Sequence, residues 1–538
     1  MTFLKKSVLY TYGSFTEYPS SVFDKPGCML KNSWDYSYIR YSIKEAHLVS
    51  VQVHKYRKTW RTSTLLLLML VVNYGWLEAQ DDHYWAQQYG AVSTLMGGAM
   101  VGGVSDNSAV YYNPAALAFI SNPSLSVDAN VYKMDRIFIR DGVGKGINLN
   151  SAQMSVYPQI IAGMINILKN SRFKFSYSML TRNHSNILVN THYTDKTSQS
   201  DPDNPVPTST SFVGVYDYVN QLNEQWIGMG IAYGISENLG IGATFFSSYR
   251  GQSYQLTNYV REIDYADSTY VFKTTTNDEA IKYSTFRLIA KFGLSYFTGP
   301  WKFGLTVTTP SIGLYGSGDI KRENSFVTVS EHPADMADNF LIMDQKSSVK
   351  ANYKHPLSIA WGVDYQTART RLAFSAEYFF KTGTYHLLKP EAAPFIYPPS
   401  YLDSVSIKTQ INSYLHVENA ARPVLNVGIG FSQVVYKRLS LLLGASTDFS
   451  SFDNPTEANE LLHGFGGWDI YHVSAGMNYH KQKHTLSLGF SYSIAPSKNI
   501  PPYTVINQTP DYTGQARISP KTYSIILGYT YYFAKFSE

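Results

Sequence analysis

The fold this sequence predicts is an all-β, 14-stranded antiparallel transmembrane barrel with an N-terminal plug inside its lumen. Three observations predict it. Apolar residues alternate strictly with small or polar ones in many segments. Very short turns take turns with long polar connections. A segment near the start reads as an export signal, and a Gly-rich stretch that does not alternate follows it.

The alternation is plainest in 283–297. Phe286, Leu288, Ala290, Phe292, Leu294 and Tyr296 share one face, and Arg287, Lys291, Gly293 and Ser295 share the other. Tyr523, Ile525, Leu527, Tyr529, Tyr531 and Phe533 repeat the pattern near the end. Side chains alternate across a strand, so each such segment has one greasy face and one small or polar face. Strands are expected near 124–134, 147–157, 172–181, 224–235, 238–250, 283–297, 300–310, 355–366, 370–380, 422–436, 438–450, 467–479, 483–494 and 521–533. Lipid gives an open edge no hydrogen-bond partner, so such a sheet has to close.

Loop asymmetry separates a barrel from a soluble sandwich. Ser236-Glu237-Asn238 and Thr298-Gly299-Pro300 are tight turns, whereas 182–223, 251–282, 311–354, 381–421, 451–466 and 495–520 read as long polar connections. Short turns on one side and long loops on the other mark outer-membrane barrels. Trp226, Trp301, Trp361 and Trp468 fall near strand ends and read as girdle residues at the membrane interface.

Composition agrees. The 538 residues include 44 Tyr, and only 16% are charged, against roughly 25% in an ordinary globular chain. A net charge of +5 makes no case for nucleic acid. Cys28 stands alone and cannot form an internal disulfide.

The export signal is expected at 55–79, with a basic flank (Lys55, Arg57, Lys58, Arg61), the apolar run Leu65–Val72 and a small residue, Ala79, at its exit. The run is too short to span a bilayer as a helix. Residues 1–54 are expected to be a spurious or disordered extension, with translation starting near Val51 or Val53 and a mature N-terminus near Gln80. A hatch is expected over 80–123 and the barrel over 124–538.

Within the hatch, Gly97, Gly98, Gly102 and Gly103 permit tight packing and positive φ. Asn113-Pro114 favours a turn that opens a short helix. The run Ser105–Ala118, SDNSAVYYNPAALA, behind Gly97–Gly103, GGAMVGG, resembles the hatch signature of the long-chain fatty-acid transporter (FadL) family. Trp301–Ser311, WKFGLTVTTPS, is similar to that family as well.

The resemblance implies an outer-membrane channel for hydrophobic compounds such as long-chain fatty acids. A ligand caught near the outer loops would enter an apolar lumen pocket, and a hatch rearrangement would open the path. The gate is expected at Gly97, Gly98, Asn107, Asn113 and Pro114. Arg287 and Lys291 are expected in the lumen, as anchors for a ligand carboxylate or paired with an acid such as Glu377. In the family a side exit is linked to a kinked third strand. Here Phe173–Arg182 holds no Gly or Pro, which argues against one. Phe533 or Phe536 would have to serve as the signal to the barrel-assembly machinery.

No catalytic residue, metal or cofactor is expected. GxSxG and HExxH patterns are absent, and the Asp201–Pro205 loop, DPDNP, reads as a solvated loop rather than a Ca²⁺ site. The partners expected are a hydrophobic small molecule and outer-membrane lipid. The competing class is a protein-interaction role like that of type IX secretion shuttle proteins.

Overall fold

The computed structural model describes residues 83–120, 122–165, 172–201, 204–266, 269–399, 413–453, 467–500, 502–504, 506 and 514–533. The export signal at 55–79, the extension 1–54 and Phe536 lie outside the described residues, and so does part of the Asp201–Pro205 loop.

The barrel opens with β1 (Ser124–Arg140) and β2 (Leu149–Ile165). Four long strands follow: β3 (Phe173–Asp201), β4 (Asn204–Gly234), β5 (Leu239–Ala266) and β6 (Thr269–Thr298). Next come β7 (Trp301–Thr308), β8 (Ile312–Val329), β9 (Phe340–Lys350), β10 (Ser358–Gln366) and β11 (Thr370–Phe379). Three short strands, β12 (Thr382–Leu388), β13 (Phe395–Tyr397) and β14 (Val417–Ala421), precede β15 (Val424–Tyr436) and β16 (Leu439–Asp448). The last four are β17 (Ile470–Lys481), β18 (His484–Ile494), β19 (Lys498–Ile500) and β20 (Ala516–Tyr532).

Fourteen of these strands form the closed antiparallel barrel, in the cyclic order β1, β2, β3, β4, β5, β6, β7, β10, β11, β15, β16, β17, β18, β20. The β1–β20 ladder, from Ser124↔Tyr532 to Arg140↔Arg517, completes the ring. The apolar faces read from alternation point outward: Phe292, Leu294, Leu527 and Tyr529 are all exposed, as lipid-facing side chains must be.

Much of what reads as loop is strand. β3 to β6 run 29, 31, 28 and 30 residues, about three times the 9–11 that cross a bilayer. Residues 182–223 and 251–282 are therefore mostly hairpin, paired residue for residue above the membrane. Segment 311–354 holds β8 and β9, which extend the upper sheet beyond β6. The physical reason lies in the phase of the pattern. On β4, Ile227, Met229 and Ile231 face lipid, while Tyr216, Tyr218 and Leu222 face inward and are buried. Above the membrane the outside is water, so the apolar side turns inward and the outward alternation fades although the ladder continues.

Those inward residues make an apolar roof. Ile187, Val189, Tyr216, Tyr254, Leu256, Ile281 and Tyr283 pack with Leu387, Leu415 and Val417 from the connecting segments. Of the tryptophans, Trp301 and Trp361 are exposed on the outside. Trp468 packs partly buried against the roof. Trp226 does not join a girdle: it is fully buried in the lumen, where its Nε1 donates to Glu224 Oε1 at 2.7 Å.

A charge on the lipid face costs about 2–4 kcal/mol near the midplane. Leu527→Arg should lower folding stability in bilayers by about that amount, read from denaturant titration of protein refolded into vesicles. An unchanged midpoint would show that this face does not meet lipid.

Candidate functional site

The bore is filled by the chain's own N-terminal segment. After His83 come helix α1 (Ala91–Leu95), helix α2 (Ala109–Tyr112) and a 3-10 turn over Pro114–Phe119. Leu95, Met96, Met100, Val110, Tyr111 and Leu117 form a core with Ile160, Leu180, Phe246, Ile289 and Leu442 of the wall.

Glycine sets the closeness of this packing. Gly97 sits at φ +63, and a Cβ there would lie 2.6 Å from Ala445 O and 2.9 Å from Ile429 O. Gly98, at φ +71, leaves room only for the Gln88 amide. The wall reciprocates. Cβ atoms at Gly242, Gly362 and Gly430 would meet the hatch backbone at Pro114, Gly102 and Met96 respectively.

Two asparagines tie hatch to wall. The Asn113 side chain accepts from Ala115 N at 3.1 Å, capping the turn that Pro114 begins. Its Nδ2 faces Val101 O, Leu294 O and Ser295 Oγ at 3.0, 3.1 and 3.0 Å. Asn107 Nδ2 donates to Ser126 Oγ at 2.9 Å and to Ala162 O at 3.2 Å, and Asn107 Oδ1 accepts from Ser124 Oγ at 2.9 Å. The start of the hatch is pinned by two buried carboxylates. Asp448 Oδ1 accepts from Trp85 N, and Glu377 Oε2 accepts from Trp85 Nε1, both at 2.9 Å. His83 Nδ1 lies 3.3 Å from Asp448 Oδ2.

A charged layer lies between hatch and roof. Glu224 takes Arg250 Nη1 at 2.8 Å and Arg287 Nη2 at 2.6 Å. The Tyr353 ring sits 4.0 Å from the Arg250 guanidinium and 4.7 Å from that of Arg287. Lys291 Nζ stands 4.0 Å over the Tyr111 ring. Arg287 and Lys291 thus lie inside the lumen, but the acid that meets Arg287 is Glu224. Register decides this: Glu224 is paired with Arg250 on the next strand, and Ser248 with Arg287 on the one after. Glu377 bonds to Trp85 and to Ser358 Oγ instead. Arg287 Nε and Nη1 and Arg182 Nε are buried without a hydrogen-bond partner among the described residues.

Sequence reading missed Glu224, Arg250, Arg182 and Tyr353. Arg182 and Tyr353 fall at or within stretches assigned to loops. Arg250 continues the small face of β5, and that parity is the signal that could have found it.

The wall also has a seam. The β2–β3 ladder runs only from Ile165↔Phe175 to Ile160↔Leu180. Above it, β2 stays with β1, and β3 stays with β4. No Gly or Pro of β3 is needed for this break. Pro158 of β2 lacks an N–H, Gln159 bulges beside it, and Arg182 is an extra residue in β3. Side chains bridge the gap: Thr181 Oγ1 donates to Pro158 O at 2.8 Å, Leu188 N donates to Ser151 Oγ at 3.1 Å, and the Tyr157 and His184 rings stand 4.7 Å apart. Behind it is a cavity of about 140 Å³ whose lining includes Lys133, His184, Ile187, Leu222 and Trp468.

Gly97→Ala should disfavour the seated hatch by about 1–2 kcal/mol from the left-handed backbone alone, with the clash against Ala445 O added. Planar-bilayer recordings should then show leak conductance where wild type is closed. A closed variant would show that this contact does not seat the plug.

No family model matches the chain, and no curated protein matches it by sequence. Solved structures do match in shape. The Pseudomonas putida toluene transporter TodX aligns with a TM-score of 0.52 at 15% identity, over 83% of this chain and 98% of that one. A mutant of the TodX monoaromatic hydrocarbon channel aligns with a TM-score of 0.52 at 13% identity, over 83% and 100%. A Pseudomonas aeruginosa FadL homologue aligns at 0.49 and 13% identity, over 84% and 100%. In fold, then, the chain is similar to the TodX toluene transporter, nearly all of whose length it matches.

Proposed function

We propose that this protein is an outer-membrane channel for the uptake of hydrophobic compounds, opened by a rearrangement of the hatch and driven by diffusion. One observation carries the reading: a plug seated on the wall by glycine contacts and side-chain ties fills the bore next to a seam where the backbone ladder of the wall is interrupted. Removing apolar ligand surface from water, at roughly 25 cal/mol per Å², drives entry without any catalytic group. The TodX likeness supports a transport role rather than an enzymatic one. An export signal at 55–79 fits the same placement.

Gly97, Gly98, Asn107, Asn113 and Pro114 form the gate in this reading, because they set how closely and how firmly the plug meets the wall. Glu377 belongs with Asp448 as a latch on Trp85. The N–H groups of Arg287 that have no partner among the described residues favour an amphipathic ligand with a carboxylate, such as a long-chain fatty acid, over a neutral hydrocarbon. A second reading, docking of secreted protein, rests on the tall hairpins β3–β6 and would appear as copurified protein.

The test is uptake of labelled oleate and labelled toluene by cells that express the protein and lack their own channel. Oleate uptake is expected, and Asn113→Ala should lower it about tenfold, the factor for about 1.4 kcal/mol, with heat-modifiable migration of the barrel retained. Normal uptake in the variant would remove Asn113 from the gate. No uptake of either compound in wild type would end the channel reading.

A further inference from the structure

On the β1–β20 side, four cations project where the outward apolar belt ends. On β20 the belt runs through Tyr531, Tyr529, Leu527, Ile525 and Tyr523. Its upper border is aromatic: Tyr523 pairs with Tyr492 of β18, their rings 5.1 Å apart. Eight residues from Tyr531 to Tyr523 span about 26 Å along a strand and about 20 Å once it is tilted. Tyr523 therefore stands near the outer membrane–water interface, where girdle aromatics belong.

The outward positions above that border are basic. Arg136 lies directly opposite Lys521, then Phe138 opposite Ser519, then Arg140 opposite Arg517. The alternate residues confirm the facing: Thr522 bonds to Asp135, and Ile137, Ile139 and Ile518 are buried in the roof. Arg136, Arg140 and Arg517 are exposed, and Lys521 is half-buried. Like charges directly opposite across a ladder repel, and the register makes two such rungs, one on either side of the Phe138–Ser519 pair. Arg140 has an ion pair with Asp141, at 3.5 Å. Arg136, Lys521 and Arg517 have none with any described carboxylate. Among the described residues, one of these four cations meets a carboxylate and three do not.

We propose that this face binds a phosphorylated glycolipid of the outer leaflet, one with a phosphate at each end of a disaccharide head group, as in lipid A. The rungs are four residues, about 13 Å, apart along the strands, so each phosphate meets its own rung. Arginine suits this chemistry because its fork donates two parallel hydrogen bonds to phosphate. Phe138, exposed between the rungs, gives the sugar an apolar surface. The lipid would convert repulsion between neighbouring strands into a bridge across the ladder that closes the barrel. The site needs an outer-membrane location but does not depend on what the channel carries.

Native mass spectrometry of the detergent-purified full-length protein tests this, with bisphosphorylated lipid A, monophosphorylated lipid A, phosphatidylglycerol and inorganic phosphate as probes. Wild type should retain one bisphosphorylated lipid A, and the monophosphorylated form about tenfold more weakly. Arg136→Glu with Lys521→Glu should abolish retention while heat-modifiable migration persists. If that variant fails to assemble, Arg136→Gln with Lys521→Gln should weaken retention about tenfold. Equal retention by the Gln variant, equal binding of phosphatidylglycerol, or displacement by inorganic phosphate would each overturn the proposal.

Discussion

The structure depends on one steric constraint: two backbones touch inside the bore. At several points a plug of some forty residues meets the wall with no side chain between the two backbones. Gly97 on the plug faces bare strand backbone, and Gly242, Gly362 and Gly430 on the wall face the backbone of the plug. Such glycines would weaken an ordinary strand. Here their missing side chains are the volume the plug occupies, and close contact compensates with dispersion across the whole interface. The asparagine ties then satisfy the backbone groups that so irregular a segment would leave buried and unpaired.

From that level upward the lumen changes character in layers. Gly230 faces Val110 of the plug and Gly228 the Phe246 ring, Trp226 and Glu224 follow in the charged layer, then comes buried Leu222, and Tyr218 and Tyr216 enter the roof, all on one face of β4. The charged layer is held by geometry. One carboxylate with two guanidiniums in low dielectric repays its desolvation only when distances are short and lone pairs are filled. Glu224 meets that condition through Arg250, Arg287, Ser248 and Trp226. Arg287 keeps two unfilled donors, which is where the layer remains chemically open.

The membrane-crossing parts of the fold were legible because lipid enforces a single rule, apolar outward, at every second residue. Phe286 to Tyr296 and Tyr523 to Phe533 obey it and lie as their alternation implies. The rule reverses where β3 to β6 leave the membrane, so Tyr216 and Leu256 looked like loop residues when they are the inner face of a strand. Trp226 was misplaced for a related reason: a tryptophan near an apparent strand end is a girdle residue only if the strand does end there. Parity put Arg287 and Lys291 inside the bore. It could not choose the partner of Arg287, because that choice needs the register of two further strands. The seam was invisible for the same reason, since it arises from Pro158 on a strand next to the one inspected.

The Asn107 contacts carry a consequence for how the molecule is made. Asn107 bonds to Ser126 of β1, and Ser126 Oγ lies 2.9 Å from Thr530 Oγ1 of β20, across the first and last staves of the cask. The chain's opening stretch therefore touches the junction that its closing stretch must zip. Seating the stopper and sealing the last seam of the cylinder thus share one hydroxyl, that of Ser126.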